Sequence, residues 1–221
     1  MIACSMESHL YMLGNDPAQE DFAGVPQSML DAVQSPLAPS AVTFEQISKA
    51  LRISEASATI LDDVRFLTQL ISSRKPRSDD RIRSTAAWLS SRLDSISRSA
   101  GPQGHPQDAT DHIQDAVHAA AIIYSWAISS AKPMSHFNDT TTRHGLFVST
   151  QAVSLATWEK IPGIYLWIML VACSGALPDM MGRFMRRKVS VAAAAIAFDD
   201  FPLATTMLRS FWLIQRWIAD Q

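Results

Sequence analysis

Apolar positions recur every three or four residues through most of this chain, and nowhere do they alternate as in a pair of strands. Ala56, Ile60, Val64, Leu67 and Ile71 mark one face of a helix ending near Arg74, where Lys75-Pro76 stops it. Ile82, Ala86, Leu89, Leu93 and Ile96 mark the next, and Gly101-Pro-Gln-Gly-His-Pro106 breaks the chain after it. Between Asp108 and Lys132, the stretch Ala116 to Ala131 is mostly small or apolar, which predicts a helix buried on most sides. Ile161 to Leu177 carries no charged residue, so other helices must cover it. A last helix follows Pro202, with Leu203, Met207, Phe211, Ile214 and Ile218 on one face.

Polar residues punctuate these runs. Thr43-Phe-Glu-Gln46 has the form of a capping box. Ser54, Ser78 and either Asp108 or Thr110 stand where N-caps belong, Asp79 and Asp80 fall in a first turn, and Pro162 fits another. Pro133 to Arg143 reads as a Thr-rich loop. Gly145 to Thr157 is open between a short strand at Leu146-Phe-Val148 and a helix, with helix favoured by its surroundings. The expected fold is all-α, a single helical domain of about seven or eight helices joined by short loops. Residues 1–41, interrupted by Pro17, Pro26, Pro36 and Pro39, read as a flexible and dispensable N-terminal tail, and 42–221 as the domain.

Composition narrows the function classes. At 221 residues the chain suits one domain with a sizeable core. Residues 1–40 hold five acids and no Lys or Arg, while the whole chain carries a net charge of −2. That balance offers no broad cationic surface for nucleic acid. Two cysteines, Cys4 and Cys173, make neither a disulfide framework nor a thiolate zinc site, which fits a reducing compartment. No basic segment leads into a long apolar core at the N-terminus, so no secretory signal is read. The uncharged run from Ile161 is at the short limit for a membrane span, and a buried helix explains it better.

The chemistry-bearing residues do not assemble into a known motif. The eight glycines form no phosphate loop, dinucleotide fingerprint or nucleophile elbow. His112 and His118 lie six apart, on different helix faces. His136, Asp139 and His144 share one polar loop, where solvated residues are a plainer reading than a cation site. The paired acids Asp62-Asp63, Asp79-Asp80 and Asp199-Asp200 diverge when helical, so none forms an acid–base pair, and the third pair reads as an N-cap. Arg183, Arg186, Arg187 and Lys188 form the densest charge cluster, either a solvated face pairing with Asp179 or an anion or import patch. Trp167 is expected as a core anchor, with a partner for its indole N–H. No catalytic, cofactor-binding or metal residue is assigned, and no cofactor.

Three segments carry a family resemblance. His118 to Pro133 (HAAAIIYSWAISSAKP) resembles the helix of fungal-specific transcription factor domains that holds an Ala-Ala-x-x-Tyr-like segment. Trp158 to Ala176 resembles that family's Pro-x-x-x-x-Trp helix, here with Pro162 and Trp167. Arg183-Phe184 resembles its following Arg-x-aromatic segment, without the usual extra aromatic. The likeness spans roughly residues 110–220, in order. In that family a six-cysteine zinc cluster that binds DNA ordinarily precedes this region, and the sequence holds none. The resemblance therefore implies a non-enzymatic regulatory or dimerisation domain, nuclear, with a protein partner or a second copy, a small-molecule effector as a further possibility, and no sequence-specific DNA binding by this chain. A small helical enzyme or ligand carrier is the alternative, and convergence of Tyr165, Trp167 and His118 on one cavity would favour it.

Overall fold

A computed structural model describes residues 34–73, 79–99, 108–174 and 180–221. The chain is all-α. Among the described residues the helices are α1 (Phe44–Leu51), α2 (Glu55–Ser72), α3 (Asp79–Ser99), α4 (Ala109–Ser130), α5 (Thr140–Ala152), the single turn α6 (Leu155–Trp158), α7 (Pro162–Ser174), α8 (Met180–Asp199) and α9 (Phe201–Ala219). A 3₁₀ turn, Met134–His136, joins α4 to α5. Among the described residues there is no strand, and Leu146-Phe-Val148 lies inside α5.

The caps fall largely where the polar punctuation puts them. Thr43 closes the capping box with Gln46, Ser54 accepts from the Ser57 amide, and Asp108 accepts from the amides of Thr110 and Asp111. Ser78 lies outside the described residues. Arg52 and Ala131 take left-handed backbone at the ends of α1 and α4, with φ 54° and 51°. No glycine stands at either position, so each carries a steric cost that the helix-end bonds to its N–H must offset.

α4 is the centre of the packing, touching α2, α3, α5 and α7. Its small residues Ala116, Ala119, Ala120, Ala121 and Ala127 are buried, and small side chains let neighbouring helices approach on several sides. α7 is buried continuously from Gly163 to Val171, as its uncharged sequence requires. It packs against α4 and α8, and α9 closes the domain by packing on α2 and α8. Among the described residues no helix is long and apolar enough to cross a membrane.

Three expectations change. The stripe of α2 holds at Ile60, Val64, Leu67 and Ile71, but Ala56 is exposed, and Ser57 and Ala58 are the buried residues of the first turn. The loop after Pro133 is shorter than expected, since Met134 is fully buried and Asp139 already caps α5. The packed chain also begins before residue 42. Ser35, Leu37 and Ala38 are buried, Leu37 to 1% exposure, in a turn closed by the Ser35 hydroxyl and carbonyl. Prolines at 36 and 39 make this stretch look like tail, yet they also hold the extended turn that seats Leu37.

Candidate functional site

Several of the polar side chains singled out by sequence bridge helices, and others cap them. The Asp62 carboxylate accepts from the backbone amides of Phe44 at 2.9 Å and Glu45 at 3.1 Å, so a residue in α2 caps α1. Its neighbour Asp63 turns the other way and meets Arg92 of α3 at 2.6 Å. Burial pushes the Asp63 carboxyl above its ordinary value, and Arg92 opposes that shift. The two adjacent acids thus diverge and serve different helices. Asp79 accepts from the Trp217 indole at 2.9 Å, Asp80 pairs with Arg83, and Asp200 caps α9 through the Leu203 amide. The side chain of Asp199 lies outside the described set.

Arg65 is a residue that pattern reading missed. It lies within the apolar face of α2 and is buried. Its guanidinium donates to the Val42 carbonyl at 2.7 Å and to Gln34 Oε1 at 3.0 Å, and it sits 4.1 Å from the Phe44 ring centroid. Asp62 lies 3.7 Å away, and no protein acceptor meets Arg65 Nε. Burial lowers its pKa, with Asp62 acting against that. This node pins residues 34–44 to α2. Its sequence signal was a lone cation at helical spacing among Leu61, Val64 and Thr68.

Tyr165, Trp167 and His118 do not converge. Tyr165 stacks on Trp158, with centroids 4.9 Å apart, and the Trp158 indole donates to the Thr150 carbonyl. Trp167 meets Tyr124 edge to face at 6.2 Å, fully buried, and its Nε1 has no protein partner. His118 bonds the Leu93 carbonyl at 3.0 Å, joining α4 to α3. The Tyr124 hydroxyl lies 2.7 Å from that of Thr68, and burial pushes the phenol well above its ordinary value. These are three separate packing neighbourhoods.

The loop around α5 offers no metal centre. Asp139 accepts from the Thr141 amide and the Thr142 hydroxyl, while His136 and His144 are exposed. Among the described residues no three His, Cys, Asp or Glu side chains gather. An open groove of about 530 Å³ lies between α1 and α2, lined by Glu45, Gln46, Ser48, Lys49, Glu55 and Thr59. Its lining residues are all polar or charged, and it is open to solvent.

Exposed large apolar residues occur singly at Phe66, Trp88, Val148 and Leu155, and in a row along α8. Met185, Ala192 and Ile196 point into the core, as an amphipathic helix requires. A second stripe points outward and is also apolar. Phe184 is 41% exposed, Val191 55% and Phe198 91%, and Ala194 and Ala195 are exposed between them. Phe201, at the start of α9, is 55% exposed. The cation cluster borders the stripe, with Arg183 and Arg187 exposed and the Lys188 ammonium 5.1 Å from the Phe184 ring centroid. Asp179, the expected partner of that cluster, lies outside the described residues. Burial pushes the Cys173 thiol of α7 up to about 11, and the charge of Arg186 opposes that shift. The sequence carries this stripe as Phe184, Val191 and Phe198 at intervals of seven, interleaved with the cations. Exposed apolar patches rimmed by polar residues mark interaction surfaces or ligand grooves. Comparison of the chain with protein-family models, curated proteins and solved structures finds no match.

Proposed function

We propose that this chain is the regulatory domain of a transcription regulator, acting in the nucleus through contacts with protein and not through catalysis. The observation that carries the reading is the α8 surface: one face of the helix builds the core while the other presents aromatics and cations outward. The resemblance of residues 110–220 to fungal-specific transcription factor domains supports it, its matching residues Tyr124, Pro162, Trp167, Arg183 and Phe184 lying on α4, α7 and α8. The engagement of the half-buried acids Asp62, Asp63 and Asp200 in caps and cross-helix bonds is in keeping with a scaffold. On this reading the chain binds duplex DNA no better than nonspecifically, having a net charge of −2.

The test is a tethering assay. The full chain is fused to a heterologous DNA-binding module and expressed over a reporter carrying that module's site. The fusion should change reporter output several-fold, and Phe198→Glu should abolish the change without lowering the protein level. Output equal to that of the module alone overturns the proposal.

A further inference from the structure

We propose that α8 pairs with α8 of a second copy, antiparallel, through the stripe Phe184, Val191 and Phe198. The inference rests on the reading of this face as a contact surface and names its partner. Three observations select a second copy. First, the stripe repeats at intervals of seven, the period at which one helix lays a straight seam along another. Second, Ala194 and Ala195 beside that seam are exposed, and small residues let a second backbone approach closely. Third, the two ends of the helix differ in charge. Arg183, Arg187 and Lys188 border the stripe in its N-terminal half, residues 189–198 carry no charge, and Asp199 ends the helix.

The third observation fixes the direction. Parallel pairing would bring two sets of cations together. Antiparallel pairing sets each basic end beside the partner's C-terminal end, where the helix dipole is negative. The surface is then self-complementary about a two-fold axis, the common form of a homodimer. Val191 lies near that axis. Phe184 and Phe198 are fourteen residues apart, about 21 Å along the helix, so each Phe184 lies far from its symmetry mate. One helix stripe covers less than the roughly 800 Å² per partner of a standard stable interface, so the dimer is reversible.

The experiment uses the full chain, with Cys4→Ser and Cys173→Ser as background for the crosslinking arm. Sedimentation over a range reaching roughly 300 µM should show a concentration-dependent dimer, a range chosen because so small an interface associates weakly. Val191→Glu should shift dissociation at least tenfold while the circular dichroism stays unchanged, since Val191 is exposed in the monomer. Val191→Cys should form an interchain disulfide on mild oxidation, and Phe184→Cys should not. Equal crosslinking by Phe184→Cys means parallel pairing and overturns the proposal. A dimer unaffected by Val191→Glu places the interface elsewhere and overturns it as well. Dimerisation that appears only after removal of residues 1–33 would make that acidic segment the occupant of the face, and again the proposal fails. A strict monomer overturns the pairing yet leaves the regulatory reading standing, because the reporter assay measures that reading without requiring self-association.

Discussion

Replacing each of two buried tryptophans by phenylalanine tests whether an indole N–H in this core has a partner. Trp158 and Trp167 are both essentially unexposed. Trp158 donates to the Thr150 carbonyl at 3.2 Å and stacks on Tyr165. Trp167 Nε1 has no protein acceptor. Trp158→Phe therefore breaks a hydrogen bond and leaves a buried carbonyl short, costing about 1–3 kcal/mol beyond the lost volume. Trp167→Phe breaks none and removes a desolvated donor, which offsets part of the cavity left by the smaller ring, so the net cost is about 1 kcal/mol or less. Trp167→Ala removes the whole anchor and costs roughly 3–5 kcal/mol, a large part of the ~5–15 that stabilise a domain. Urea unfolding followed by circular dichroism reads all three. With a slope of about 2 kcal/mol/M, Trp167→Ala should lower the midpoint by about 2 M and Trp167→Phe by less than about 0.5 M. If Trp167→Phe costs as much as Trp158→Phe, the Trp167 indole has a hydrogen-bond partner and the reasoning fails. If Trp167→Ala unfolds at the wild-type midpoint, α7 is not the packed centre described above.

Truncation should discriminate between two cut points: removing residues 1–33 spares the contacts of the 34–44 segment, whereas removing 1–41 strips Leu37 from the core and Gln34 from Arg65. Burying a leucine stabilises by about 1.5–3 kcal/mol, so the longer deletion should lower Tm by roughly 5–10 °C more than the shorter one, and equal melting curves would refute the role of this turn. Cys173 should react with a thiol reagent at pH 7.5 much more slowly in the folded chain than in urea, measured on Cys4→Ser, because its pKa of about 11 leaves little thiolate. Asp139 is held below its ordinary value, first by the Thr142 hydroxyl, so its contribution to stability is present above the unfolded carboxylate range and lost as pH falls through the folded value. Asp139→Asn should cap α5 nearly as well at neutral pH and lose less on acidification, as seen in acid unfolding monitored by circular dichroism.

The sequence by itself determined the local elements, because caps, breakers and period act over a few residues. Thr43-x-x-Gln46, Ser54, Asp108 and Pro162 start helices where their chemistry requires, and the uncharged run of α7 could only be interior. It also separated Asp62 from Asp63, since neighbours on a helix point different ways. Tertiary structure alone decided what those side chains meet. Asp62 caps a different helix, and Arg65 becomes a buried clasp, through partners 18 and 31 residues away that no local pattern contains. The turn at Ser35–Ala38 looked like tail because prolines mask its one apolar anchor, and only the cleft that receives Leu37 makes it part of the core. The α8 surface needed both levels. Its seven-residue spacing is written in the chain, but a helix with two apolar faces must bury one, and which face stays outside is set by where α7 and α9 lie.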